Sequence, residues 1–201
     1  MEADFGVEIG PGLGVIDADW PGWVDLRVEP ARVGEIAEAA EHAALREALE
    51  QLNGPESPVF TCKCDVWRLG ADEIDADEFW CGAADALTGV ASYVDVVARN
   101  AEVFGSFKEH ESWARRAVEP LKAEAVSQGR ADLVVRAAVA GRREGFGITL
   151  YAAGCGVDKE AAEAAWERVL RAAVTATMSE ARFFQDRAGG LEHPLSGTTG
   201  E

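Results

Sequence analysis

VFTCKCDVWRL, residues 59–69, places Cys62 and Cys64 one residue apart in a run that alternates as a strand does. Successive strand side chains point to opposite faces. Lys63, Asp65 and Trp67 therefore share one face, and Phe60, Cys62, Cys64 and Val66 the other. One face is charged and aromatic and the other apolar, so this strand reads as half-covered by helices, with both thiols under a helix.

The same alternation recurs in GWVDLRV (22–28), VASYVDVVAR (90–99) and ADLVVRAAVA (131–140), and each run carries an Asp. With Asp25, Asp65, Asp95 and Asp132 on one face, that face also gains Trp23, Trp67, Tyr93 and Arg136, while Val24, Leu26, Val94, Val96, Leu133 and Val135 fall opposite. GFGITLYAAG (145–154) is a fifth strand, joined to its predecessor by a hairpin whose tip, GRRE, is basic. Apolar residues at helical spacing predict helices over 31–52, 107–125 and from Lys159 to Phe184, the second kinked or broken by Pro120 and the third capped by Asp158. Gly and Pro punctuate residues 1–21 into edge strands or an extended arm.

The order is then β-α-β, β-α-β, β-α. WVDL before the first helix and CDVWRL after it are echoed by YVDV and ADLVVR around the second, which suggests a duplicated split βαβ unit. The expected fold is α+β: a mainly antiparallel sheet of about five strands with helices packed on it, ferredoxin-like, plus a hairpin strand and a C-terminal helix. A single domain is expected over 1–186, followed by a flexible, Gly- and Thr-rich tail at 187–201.

The cysteines do not read as a metal or redox centre. Paired zinc ligands are commonly two to four residues apart, and thioredoxin-type pairs sit two apart at a helix start. Cys81, Cys155, His42, His110 and His193 lie in unrelated places in the sequence and supply no second ligand pair. Neither a metal nor another cofactor is expected.

Charge excludes more than it identifies. Nineteen Lys and Arg against 36 Asp and Glu give a formal charge of −17, which repels phosphate backbones and anionic membrane surfaces and favours a basic protein partner. A Lys-poor composition rich in Ala, Gly, Val and Arg suggests a GC-rich bacterial genome. MEADFGVEIG has neither a basic leader nor an apolar core, so a cytoplasmic location is expected.

Local motifs offer little chemistry. GADEIDADEF, with five acids between Asp72 and Glu78, lacks the Gly and distal Glu of a calcium loop and reads as a solvated loop. AGCGVD lacks the Lys of a phosphate loop. His110 reads as a surface histidine, and no serine lies in a nucleophile elbow. Catalysis is therefore not the expected role.

The polar sheet face remains, as a lattice of ion pairs, a platform closed by the last helix, or a binding surface. The candidate binding residues are Trp23, Asp25, Asp65, Trp67, Tyr93, Asp95 and Arg136. The leading expectation is a non-catalytic acidic interaction protein that binds or inhibits a basic protein, of immunity or accessory type. The alternative is a small-ligand-binding domain or enzyme with its pocket on that face, beneath the C-terminal helix.

Overall fold

The computed structural model describes residues 1–82, 84 and 86–189, the last six of them as backbone. It is an α+β structure built on one mixed sheet. The strands are β1 (Glu2–Glu8), β2 (Ile16–Ala18), β3 (Val59–Gly70), β4 (Thr88–Ala98), β5 (Gly129–Ala140) and β6 (Arg143–Gly156). Their order is β1-β5-β6-β4-β3, with β2 continuing along β5 past the end of β1. Both N-terminal strands run parallel to β5 and the other three pairings, which are the longer ladders, are antiparallel, so the sheet is mixed: antiparallel for the most part but not purely so. The basic-tipped hairpin forms as read: β5 and β6 pair through Ala140 and Arg143, with Gly141 at φ +63° in the turn.

The ferredoxin-like duplication is not confirmed, because no strand forms over 22–28: residues 23–25 have no regular structure and 26–28 form a turn. The Asp25 carbonyl accepts from the backbone N–H groups of Val28 and Glu29, and its carboxylate accepts from the N–H of Arg27. An Asp that satisfies the backbone ahead of it favours a turn over a ladder. The expected first helix is likewise broken into a 3-10 turn (Pro30–Glu35), α1 (Ala37–Glu41) and α2 (Ala43–Asn53), with Ile36 and His42 extended between them. Arg46 reaches back to the carbonyls of Ala39 and Ala40, satisfying the end of α1.

A short α3 (Ala101–Phe104) starts where the Asn100 side chain accepts from the N–H groups of Glu102 and Val103. Ser106 caps α4 (Phe107–Ala123) by accepting from Glu109 N–H at 3.3 Å, and that helix runs through Pro120 rather than ending there. Asp158 caps α5 (Lys159–Gly189) through Ala161 N–H at 2.8 Å. The tail expected from 187 is helical to Gly189, and residues 190–201 lie outside the described residues.

Helices α2, α4 and α5 cover one face of the sheet. Leu133, Val135, Ile148, Leu150, Val94 and Val96 point into this layer and meet Trp113, Trp166, Leu49 and Leu170. At Gly154 the α5 backbone lies directly on β6, where a Cβ would collide with Trp166 N and Cα, so this glycine is needed for close packing.

His110 is a further correction: it is fully buried between Trp113 and Phe146, not on the surface. Its Nδ1 donates to the Ser106 carbonyl at 3.0 Å, while Nε2 is buried without a partner among the described residues.

The opposite face is bracketed by two loops. Across one end, the arm between β1 and β3 lays Ile16 and Ala18 over Phe60, Cys62, Val97 and Ala138. Across the other, the acidic loop after β3 seats Phe79 and Ala86 on Cys155. A bulge between Thr61 and Cys64 lets Thr61 pair with Val96 and Cys64 with Val94, adding one residue to β3. Parity flips there. Phe60 and Cys62 therefore pack under the N-terminal arm, and of the four apolar residues only Cys64 and Val66 join Val59 in facing the helices.

Candidate functional site

Between the two loops the open face presents a shallow trough. Its rows follow from the register: Asp65, Tyr93, Tyr151, Asp132 and Asp4 lie side by side across five strands, and Asp95, Thr149 and Val134 form the next row. Three rings step along it, with centroids 6.4 Å apart for Trp67–Tyr93 and 6.1 Å for Tyr93–Tyr151. These spacings are those of interacting aromatic pairs. Trp67 remains exposed at the β3 end.

Asp95 lies at the floor, 6% exposed, and Thr149 Oγ1 donates to its Oδ1 at 2.6 Å. Burial raises its pKa above the usual carboxylate value, against the Thr149 bond and the charges of Lys63 and Arg136. Burial also raises the pKa values of Tyr93 and Tyr151; Asp95 adds to both, while Arg136 opposes the shift at Tyr151.

The cations on β5 are already matched. Arg136 donates to Glu8 at 2.6 Å and to the Tyr151 hydroxyl at 3.1 Å, although its Nε is buried without a partner among the described residues. Arg130 pairs with Asp132 at 2.7 Å and with Glu78, which reaches down from the acidic loop. Asp65 and Asp4 have no ion-pair partner among the described residues; each instead accepts from the N–H of the next residue, at 2.7 and 2.8 Å.

Five of the seven sequence candidates, Asp65, Trp67, Tyr93, Asp95 and Arg136, thus share this face. Trp23 and Asp25 do not. They line a separate cavity of about 480 Å³ at the arm end, together with Arg27, Arg99, Phe104 and Arg143. There Arg27 grips Asp25 with two bonds of 2.8 and 2.7 Å and lies over the Phe60 and Trp23 rings, 4.1 and 5.1 Å from their centroids. The Arg27 hydrogen bond holds the Asp25 carboxyl below the usual range, against its partial burial. Arg99 is pinned by the carbonyls of Val59 and Asn53 at 2.9 and 3.2 Å, and burial followed by the charge of Arg27 lowers its pKa.

Sequence reading missed Tyr151 and Thr149. Their alternation with Ile148 and Leu150 within GFGITLYAAG carries the signal, once the face of that strand is assigned. The polar face is also not beneath the C-terminal helix, because α5 packs on the other side of the sheet.

The four cysteines are rearranged relative to expectation. Cys62 and Cys64 point to opposite sides, and burial pushes each thiol up to about 12. Cys81 and Cys155, unrelated in sequence, have their sulfurs 3.3 Å apart. Among the described residues, no three His, Cys, Asp or Glu side chains converge as a metal site, and no helix is long and apolar enough to cross a membrane. No protein-family model, curated protein or solved structure matches the chain.

Proposed function

We propose that the chain is a non-catalytic acidic binding protein that captures a basic segment of a partner protein on the open sheet face, as an immunity or accessory protein does. The observation that carries this reading is the Trp67–Tyr93–Tyr151 row beside Asp65 and Asp95, carboxylates without an ion-pair partner among the described residues. An ammonium or guanidinium gains from an aromatic face and from a carboxylate, and more so where water is thinned. The chain's −17 charge adds long-range attraction of the same sign.

The two outer strands also favour side-chain capture over strand addition. Asp4 and Asp65 occupy edge N–H groups, and Trp20 Nε1 donates to the Cys62 carbonyl at 3.3 Å. These contacts blunt the edges at which an added strand would pair.

The test is titration of the full chain with a Lys- and Arg-rich peptide and with a neutral peptide of equal length. Binding of the basic peptide is expected to weaken about tenfold in Trp67→Ala, and also in Asp95→Asn, with thermal stability retained. Equal binding by both variants and the wild type would remove the trough from this role.

The second reading is a small-ligand pocket on the same side of the sheet. It is favoured by the cavity around Trp23 and Phe104, where Arg27, Arg99 and Arg143 outnumber Asp19 and Asp25. This pattern suits a small anion with a planar body. Thermal stabilisation by a small aromatic carboxylate, lost in Arg143→Gln, would support it.

A further inference from the structure

We infer that Cys81 and Cys155 form a disulfide under oxidising conditions, fastening the acidic loop to the end of β6, whereas Cys62 and Cys64 remain thiols. The inference does not depend on what the trough binds. Cys155 belongs to β6, where its backbone N–H donates to the Gln128 carbonyl and its residue pairs with Gly89 of β4. Its side chain is fully buried beneath Phe79 and Ala86. Cys81 is half-buried on the loop, held by its own backbone bond to the Ala76 carbonyl and by the packing of Ile74 and Phe79 around it.

The sulfurs, 74 residues apart in sequence, are 3.3 Å apart in the fold. A disulfide bond is about 2.05 Å long, so closure requires a shift of little more than 1 Å. That shift falls to the loop, because β6 is fixed by neighbours on both sides.

The alternative pairing of Cys62 with Cys64 is opposed by the bulge, which sends the two side chains to opposite sides of the sheet.

The chemistry is thiol–disulfide exchange with a small disulfide such as oxidised glutathione. The accessible Cys81, as thiolate, attacks one glutathione sulfur. The glutathione S–S bond breaks and one glutathione leaves as a thiolate that takes up a proton. Cys155 then attacks the Cys81 sulfur of the mixed disulfide, its proton passes to the departing sulfur, and the second glutathione leaves as a thiol. Two protein thiols are oxidised, one glutathione disulfide is reduced to two thiols, and the protons balance. The consequence in the fold is that Glu78, on the same loop, is held over Arg130 at the end of the trough.

The test is incubation of the native full-length chain with oxidised glutathione, followed by denaturing alkylation, intact mass and peptide mapping. Expected are a chain lighter by two hydrogen atoms, a linked Cys81–Cys155 peptide, alkylation at Cys62 and Cys64 only, and reversal by dithiothreitol. The melting temperature should rise by about 5–10 °C, since the bond closes a long loop. Cys81→Ser, at a partly exposed position, should fold and show neither change. Four alkylatable thiols after oxidation, a stable glutathione adduct at Cys81, or a bridge involving Cys62 or Cys64 would each overturn the inference.

Discussion

The two faces of this sheet solve the same burial problem by different means. On one, α5 lies so close that Gly154 admits no Cβ, and both buried indoles are matched: Trp166 Nε1 donates to Ser92 Oγ at 2.8 Å, and Trp113 Nε1 to the Thr177 carbonyl at 2.9 Å, while His110 Nε2 and Thr177 Oγ1 are buried without a partner among the described residues. On the other, two loops cover the ends and leave the middle to water, with Asp95 sunk into the floor and Arg136 Nε unmatched. The helix face leaves no room for a methyl group at Gly154, whereas the loop face carries a polar pair, Asp95 and Thr149, at its centre. On the binding reading proposed above, the second kind of cover is the one that leaves desolvated charge within a partner's reach.

Substitutions that test the contrast differ in size accordingly. Gly154→Ala drives a methyl group into the α5 backbone, where no side chain can yield, and is expected to destabilise by about 3–5 kcal/mol in chemical denaturation. Gly147 is its counterpart on the loop face: a Cβ there meets Ile16 Cδ1 and the Val96 carbonyl at 2.8 Å. Ile16 sits on a short arm strand and can yield, whereas the Val96 carbonyl belongs to β4, so Gly147→Ala should lose about 1–3 kcal/mol, less than Gly154→Ala, and perturb the arm and the adjoining end of the β4–β6 ladder. Similar losses at the two sites would mean that the arm packs as rigidly as α5.

Acid provides a second test of the helix face. Burial depresses the His110 pKa to about 4, from an ordinary 6.5, and Nε2 has no acceptor among the described residues to meet a new N–H. The unfolded chain therefore binds this proton first. The stability contributed is present above pH 6.5 and is lost as the pH falls from about 6.5 to about 4, by on the order of 3 kcal/mol in total. His110→Phe should flatten that part of the stability–pH curve in urea titrations; an unchanged slope would place the acid sensitivity elsewhere.

Much of the helix face was legible in the sequence, because strand parity and helical spacing both report burial on one side. Val94, Val96, Leu133 and Val135 were assigned to the correct face from alternation alone, and Asp158 was recognised as a cap by its position before an apolar helix. The misreadings share a cause: a tertiary or local bond overrode the pattern. The bulge moved Phe60 and Cys62 across the sheet, and no residue in VFTCKCD announces an extra residue in the ladder. The alternation in GWVDLRV was genuine, yet Asp25 spends its acceptors on Arg27, Val28 and Glu29 and so makes turns. His110 looked exposed beside Glu109 and Glu111, because a single polar residue on the buried stripe of a helix resembles its charged neighbours. The trough was half legible: Trp67, Tyr93 and Asp95 follow from parity, while Tyr151 needed the register of a strand whose faces had not been assigned.

The smallest effect on stability tests the loop face most directly. Folding raises the Asp95 pKa above its ordinary 3.8, so the native state holds the proton more readily than the unfolded chain. Stability is therefore greatest at acid pH on this account, and declines as pH rises from about 3.8 through the folded-state value. Asp95→Asn preserves an oxygen to accept from Thr149 and removes the charge. The variant should be as stable as the wild type or more so at neutral pH, by up to about 1 kcal/mol, with the difference shrinking in acid. A residue retained for packing loses stability when it is changed, whereas a residue retained for binding loses affinity and can gain stability. Higher stability together with weaker capture of a basic peptide would place Asp95 among the binding groups, and lower stability at neutral pH would return it to the structure of the sheet.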